Sequence, residues 1–182
     1  FEISGNTSYI RPRARGRTAK IRVSTGTPNT RFNVGTIRMD VMNETHDSNL
    51  KSWVNVDDDS DFPIQNIPSG IYTPKEGGDL HVATAIGNYI LDLAYLDEAG
   101  LFEGTEVEGT EVFHEPTLNA FMSMGRKAWK DTRKVISQIL NENDGTLRDN
   151  KELKDLALVP VENAEIEFPV DIGDYTDFYS SK

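Results

Sequence analysis

Cysteine is absent from the 182 residues, which excludes a disulfide framework, a thiolate metal site and a cysteine nucleophile. The absence fits a reducing compartment. Long apolar runs are lacking too: none approaches the roughly 20 residues needed to cross a bilayer, so no membrane partner is expected. Hydrophobic residues make up 37% of the chain and mean hydropathy is −0.51. Such low values predict that part of the chain stays unpacked. The length fits one domain of ordinary size with a piece of a second.

Charge is plentiful and uneven. Net charge is −11, yet residues 1–38 hold Arg11, Arg13, Arg15, Arg17, Lys20, Arg22, Arg31 and Arg38 against Glu2 alone, a local +7 that leaves −18 for the remainder. A body at −18 repels polyanions, so no nucleic-acid partner is expected for it. The asymmetry marks a boundary. Residues 1–48 read as a basic, disordered extension without helical or strand period. Three explanations stay open: an upstream extension outside the fold, which we favour, a nucleic-acid arm through Arg11–Arg17, or an Arg-rich transit peptide. The chain opens on Phe1 rather than Met, so its true start is expected upstream.

Asp57-Asp58-Asp59-Ser60-Asp61 suggests a calcium loop, but Phe62 and Pro68 stand where that loop needs its glycine and its bidentate Glu. These acids are expected to be solvated. Phe62 to Tyr72 reads as extended, broken by a Pro68-Ser69-Gly70 turn. His81–Ile86 and Tyr89–Leu93 flank Gly87-Asn88 and predict a β-hairpin. His81 lacks a His or Glu at ligand spacing and is expected on the surface. The direct repeat Glu103–Val107 and Glu108–Val112 is too short for a solenoid and predicts an exposed loop. Between Pro116 and Asn143, apolar residues recur at three- and four-residue steps, predicting one long amphipathic helix. Met122 and Trp129 are expected in its core stripe, and Gly125 on its buried face, allowing close backbone approach. A shorter helix is expected over Asn150–Leu158, and an extended segment over Val161–Phe168.

The last twelve residues, Asp171 to Lys182, set Asp171, Asp174 and Asp177 at three-residue spacing among Tyr175, Phe178 and Tyr179. Spacing alone leaves two readings, a solvated acidic tail or the start of a site in which Asp177 holds a hard cation and Tyr179 meets an anion. Several segments together resemble the eukaryotic fumarylacetoacetase family. They are Asp59–Pro68, Ala85-Ile86-Gly87 with Ile90–Leu93, Thr117–Met122 through Ala128-Trp129-Lys130, Leu147-Arg148-Asp149 with Lys151-Glu152-Leu153, and Ile172–Ser181. The likeness runs over about residues 50–182 in family order, and its final block is the most specific. Residues 1–48 have no counterpart, and the acidic repeat departs from the pattern.

The resemblance implies an α+β, mainly β fold: an SH3-like β-barrel with the long helix over 49–169, followed at 170–182 by the opening of a mostly β catalytic domain. It implies a hydrolase that splits a carbon–carbon bond of the diketo acid 4-fumarylacetoacetate, giving fumarate and acetoacetate in tyrosine and phenylalanine degradation. A cation would polarise the dicarbonyl and a base would activate water. Residue by residue, Asp177 matches the first Ca²⁺ or Mg²⁺ ligand, and Tyr179 matches a tyrosine that contacts substrate. Asp174, Tyr175 and Ser180 receive no role. The family's catalytic histidine and remaining ligands would lie beyond Lys182, and His46, His81 and His114 do not match its context. The chain alone is therefore expected to be inactive and to bind metal weakly, since Ca²⁺ takes about six to eight oxygen ligands. The resemblance further implies a cytoplasmic homodimer. A related hydrolase or decarboxylase for another diketo acid, and a non-catalytic SH3-like binding module with a basic arm, are the competing expectations.

Overall fold

The computed structural model describes residues 44–174. Five antiparallel strands form one sheet: β1 (Ser69–Pro74), β2 (His81–Ile86), β3 (Tyr89–Asp92), β4 (Leu158–Pro160) and β5 (Ala164–Glu167), in the order β4-β3-β2-β1-β5. Four short to medium helices complete it: α1 (Leu93–Glu98), α2 (Asn119–Ser123), α3 (Arg126–Ile139) and α4 (Lys151–Ala157). The fold is α+β, as expected. No hydrogen-bonded pairing joins β4 to β5 among the described residues, so the sheet is not the closed barrel that the resemblance implied.

The sheet is nonetheless forced to curl. Were it flat, its edge strands would stand about 19 Å apart, four spacings of about 4.8 Å. Only a 3-10 turn, Val161–Asn163, links Pro160 to Ala164, and four steps of chain reach at most about 14 Å. The ends of β4 and β5 that the turn joins must therefore approach each other. Their meeting is visible in a small cluster in which Val159 of β4 and Ala164 of β5 pack with Tyr72, Ala83 and Ile90. The opposite face of the sheet, through Ile71, Val82, Ile86 and Leu91, packs with the helices in the main core.

The expected hairpin forms with Ile86 opposite Tyr89. Gly87 turns the chain with φ 54°, and its amide donates to the Phe62 carbonyl at 2.8 Å. A Cβ here would sit 3.0 Å from the Asn55 carbonyl oxygen, so glycine is required twice over. The Pro68-Ser69-Gly70 turn is not formed, because Ser69 and Gly70 already pair in β1.

The single long helix expected over 116–143 is two helices. Gly125, with φ 88° and ψ −175°, breaks it between α2 and α3. A Cβ at Gly125 would meet nothing within 4 Å, so conformation, not close packing, explains the residue. Since apolar spacing is blind to one residue's φ, the periodicity ran straight through the break. Met122 and Trp129 are 52% and 44% exposed, not core residues. The Trp129 indole instead donates to the Phe121 carbonyl across the break at 2.9 Å. The buried face of α3 is Ala128, Thr132, Ile136 and Ile139.

The acidic repeat is also more than an exposed loop. Its glutamates face solvent, but Val107 is fully buried and Val112 nearly so. Each copy repeats the same local geometry: Gly104 and Gly109 take positive φ, and Thr105 and Thr110 donate their hydroxyls to the carbonyl three residues back, each at 2.6 Å. A five-residue sequence repeat thus becomes a five-residue structural repeat with one apolar anchor per copy.

Residues 44–68 are tied down by polar clamps. Arg133 of α3 donates to Thr45 Oγ1 at 2.8 Å and to the Gln65 and Ile67 carbonyls at 2.6 and 3.3 Å. Burial lowers the Arg133 pKa. Ser52 and the Trp53 indole donate to the Leu140 and Ile139 carbonyls, each at 2.8 Å, which satisfies carbonyls that the end of α3 leaves without a helical partner. With Thr45 buried, the packed region reaches upstream of residue 49, where the resemblance put the start of the module. The acids Asp57, Asp58, Asp59 and Asp61 are exposed, as expected. The helix expected over 150–158 forms as α4 behind an Asn150 cap, and the segment after Val161 extends only from Ala164, as β5.

Candidate functional site

Asp177 and Tyr179, the residues expected to meet metal and substrate, lie outside the described residues, as do Tyr175 and Ser180. The structure does describe how the chain approaches them. The Leu118 amide donates to the Pro169 carbonyl at 2.8 Å. Asn119 then grips Asp171 from both sides, its side-chain amide donating to the Asp171 carbonyl and its Oδ1 accepting from the Asp171 amide, each at 3.0 Å. Val170 packs on the main core between these contacts. The segment that enters the terminal block is thereby fastened to the start of α2, with Asp174 exposed just beyond.

A second constellation was not anticipated. Register places Tyr72 opposite His81, and Ala83 opposite Asp92, so Tyr72, His81 and Asp92 share one face of the sheet. Asp92 is fully buried and caps α1, its Oδ1 accepting from the Ala94 amide at 2.8 Å and the Tyr95 amide at 3.4 Å. Its Oδ2 accepts from the Tyr72 hydroxyl at 2.6 Å and lies 2.7 Å from His81 Nδ1. A carboxylate oxygen can only accept, which puts the proton on Nδ1 of His81. Burial, with the bond to Asp92 and its charge adding, holds the Tyr72 pKa far above the ordinary tyrosine value.

Around His81 stand the rings of Tyr72, Tyr95 and His114, each edge-on, with centroids 6.3, 5.8 and 6.4 Å away. His114 reaches Asp97 of α1 at 3.9 Å. Burial lifts the Asp97 carboxyl above its usual range, while His114 draws it down and Glu98 and Glu111 push it up. His81 is therefore not the surface residue that the sequence suggested. Its imidazole is 20% exposed and paired. The hairpin register carried the missing signal, since it sets Asp92 diagonally beside His81. Asp92 before Leu93-Ala94-Tyr95-Leu96 is also a helix-capping pattern, one that the apolar run through Leu93 masks.

Chemically the constellation is a satisfied buried carboxylate that fixes strands to α1. It contains no activated nucleophile. Among the described residues, no three His, Cys, Asp or Glu side chains are grouped to hold a metal ion; Asp177, the ligand that the resemblance implied, lies outside them. Among the same residues, no helix is long and apolar enough to cross a membrane.

Comparison with known proteins agrees with the sequence resemblance. Residues 65–169 match the family model described as fumarylacetoacetase N-terminal. The fumarylacetoacetase of Dictyostelium discoideum is 42% identical over 133 residues, 73% of this chain and 31% of that protein. The Caenorhabditis elegans fumarylacetoacetase is 47% identical over 133 residues and the Homo sapiens one 40% over 132, each covering 72% of this chain and 31% of the relative. The chain thus spans about a third of the length of these curated relatives.

Proposed function

We propose, from the premise that this chain belongs to the fumarylacetoacetase N-terminal family, that it serves as the N-terminal part of an enzyme hydrolysing the carbon–carbon bond of fumarylacetoacetate. The observation that carries the reading is the 40–47% identity to three fumarylacetoacetases over some 72% of the chain. A neighbouring diketo acid as substrate, or a non-catalytic binding module, has no comparable support.

In this reading residues 49–169 are the SH3-like module, preceded by the turn at residues 44–48 that Arg133 holds. The β1-β2-β3 meander extended by β4, the return of β5 to β1 across a 3-10 turn, and the enforced curl of the sheet support that assignment. Residues 1–48 are otherwise an extension outside the activity, and residues 170–182 open the mostly β catalytic domain. Asp177 supplies one oxygen ligand to Ca²⁺ or Mg²⁺, and Tyr179 donates its phenol to the anionic substrate. The cation, when bound, would polarise the dicarbonyl. The clamp of Asn119 on Asp171 fastens the chain six residues before Asp177. A cytoplasmic homodimer completes the reading.

The test is a chimera in which residues 49–182 replace the matching segment of the Caenorhabditis elegans enzyme. Hydrolysis of fumarylacetoacetate, followed by loss of its ultraviolet absorbance in the presence of Ca²⁺ or Mg²⁺, is the expected result. A folded chimera that binds the cation but leaves fumarylacetoacetate intact would sink the reading.

A further inference from the structure

The two edges of the sheet are finished differently. β4 has three residues, ends in Pro160, which offers no N–H, and runs directly into a 3-10 turn; such an edge resists pairing. β5 pairs with β1 on one side, and among the described residues no strand pairs on its other side. It contains no proline between Ala164 and Glu167. Ile166 is 63% exposed, and Phe168, just past the end of the strand, is 69% exposed. Glu165 and Glu167 flank Ile166 on the opposite face. The edge thus displays apolar side chains and an acidic row at strand spacing, within a body of net charge −18 outside residues 1–38.

We infer that β5 is an acceptor edge, to which an extended segment alternating basic and apolar side chains adds as a sixth strand. Backbone bonds of such strand addition supply affinity, and alternate side chains supply selection. The charge pattern chooses the partner. Two copies of β5 pairing antiparallel about Ile166 would set Glu165 against Glu167 of the other copy, and like charges directly opposite are destabilising. A basic side chain at those positions meets both glutamates favourably, while an apolar one between them covers Ile166 and Phe168. The inference does not depend on which reaction the family performs.

The probe is a short labelled peptide alternating lysine with valine, titrated into the whole chain by fluorescence anisotropy. A peptide alternating glutamate with valine serves as control. Backbone amide exchange across 164–168 reports the position. Saturable binding of the lysine peptide, weakened by salt, with slowed exchange at β5, is expected. Glu165→Lys with Glu167→Lys should weaken it about tenfold, two cross-strand charge pairs being reversed. Ile166→Lys should remove the protection at β5. All three side chains are at least partly exposed, and circular dichroism checks that the variants stay folded. Equal binding of the two peptides, or binding unchanged by the glutamate reversals, would overturn the inference. So would self-association of the chain that Ile166→Lys abolishes, since the occupant would then be a second copy.

Discussion

Replacing Tyr72 by Phe isolates one bond of the buried network and gives it a distinctive pH signature. The substitution keeps the ring in its cluster with Ala83, Ile90 and Ala164 and deletes only the hydroxyl that donates to Asp92 at 2.6 Å. A hydrogen bond to a charged group contributes about 1.5–3 kcal/mol. Asp92 keeps His81 and two backbone amides as donors, so the lower part of that range applies, about 2 kcal/mol at neutral pH. The alkaline limb decides the cause. In the unfolded chain the Tyr72 phenol ionises near pH 10; in the fold its pKa is raised, so it stays protonated. An acid held neutral by the fold leaves stability intact below the unfolded pKa and removes it as pH rises above that value. The wild type should therefore lose about 1.4 kcal/mol per pH unit above about pH 10 that the Phe variant does not lose. The two stabilities should converge as pH climbs. Urea unfolding, followed by far-ultraviolet circular dichroism at several pH values, measures both. A variant as stable as the wild type at neutral pH, or a difference that stays constant through the alkaline range, would refute the reasoning.

Three further substitutions probe the frame. Thr84 Oγ1 is buried without a partner among the described residues, so Thr84→Val, which keeps shape and removes the unmet hydroxyl, should raise stability by about 1 kcal/mol in urea unfolding. Arg133→Met keeps the stem but removes three hydrogen bonds, to Thr45 Oγ1 and to the Gln65 and Ile67 carbonyls; a loss of about 2–3 kcal/mol is expected, with amide exchange accelerating first across residues 44–50. Gly87→Ala places a Cβ 3.0 Å from the Asn55 carbonyl at φ 54°, and a loss of about 1–3 kcal/mol is expected, read from the thermal midpoint.

Local chemistry explains which parts of the fold were readable from residues. Gly87-Asn88 between two β-rich runs could hardly be anything but a hairpin turn, and the helix expected from Asn150 forms as α4, with Asn150 capping it. Both signals sit within a few residues of their effect. Gly125 shows the converse. Its apolar neighbours kept helical spacing across a residue whose positive φ ends the helix, and spacing carries no information about φ. Val107 and Val112 looked like loop residues because four glutamates surround them, although one valine per turn is enough to anchor such a segment. His81 and Asp92 are eleven residues apart and meet only through strand register. Asp177 and Tyr179 belong to another category: spacing left them undecided, and it was the likeness of the terminal block to a family that singled them out.

The account turns on Asp177. In the chimera with the Caenorhabditis elegans enzyme, Asp177→Asn removes the carboxylate proposed as a ligand while preserving size, and the quantity to measure is the Ca²⁺ or Mg²⁺ dependence of fumarylacetoacetate hydrolysis. The expectation is that half-maximal activity moves to a cation concentration at least about tenfold higher, as loss of a charged bond of about 1.5–3 kcal/mol requires. A variant whose cation dependence and rate match those of the unmodified chimera would contradict it.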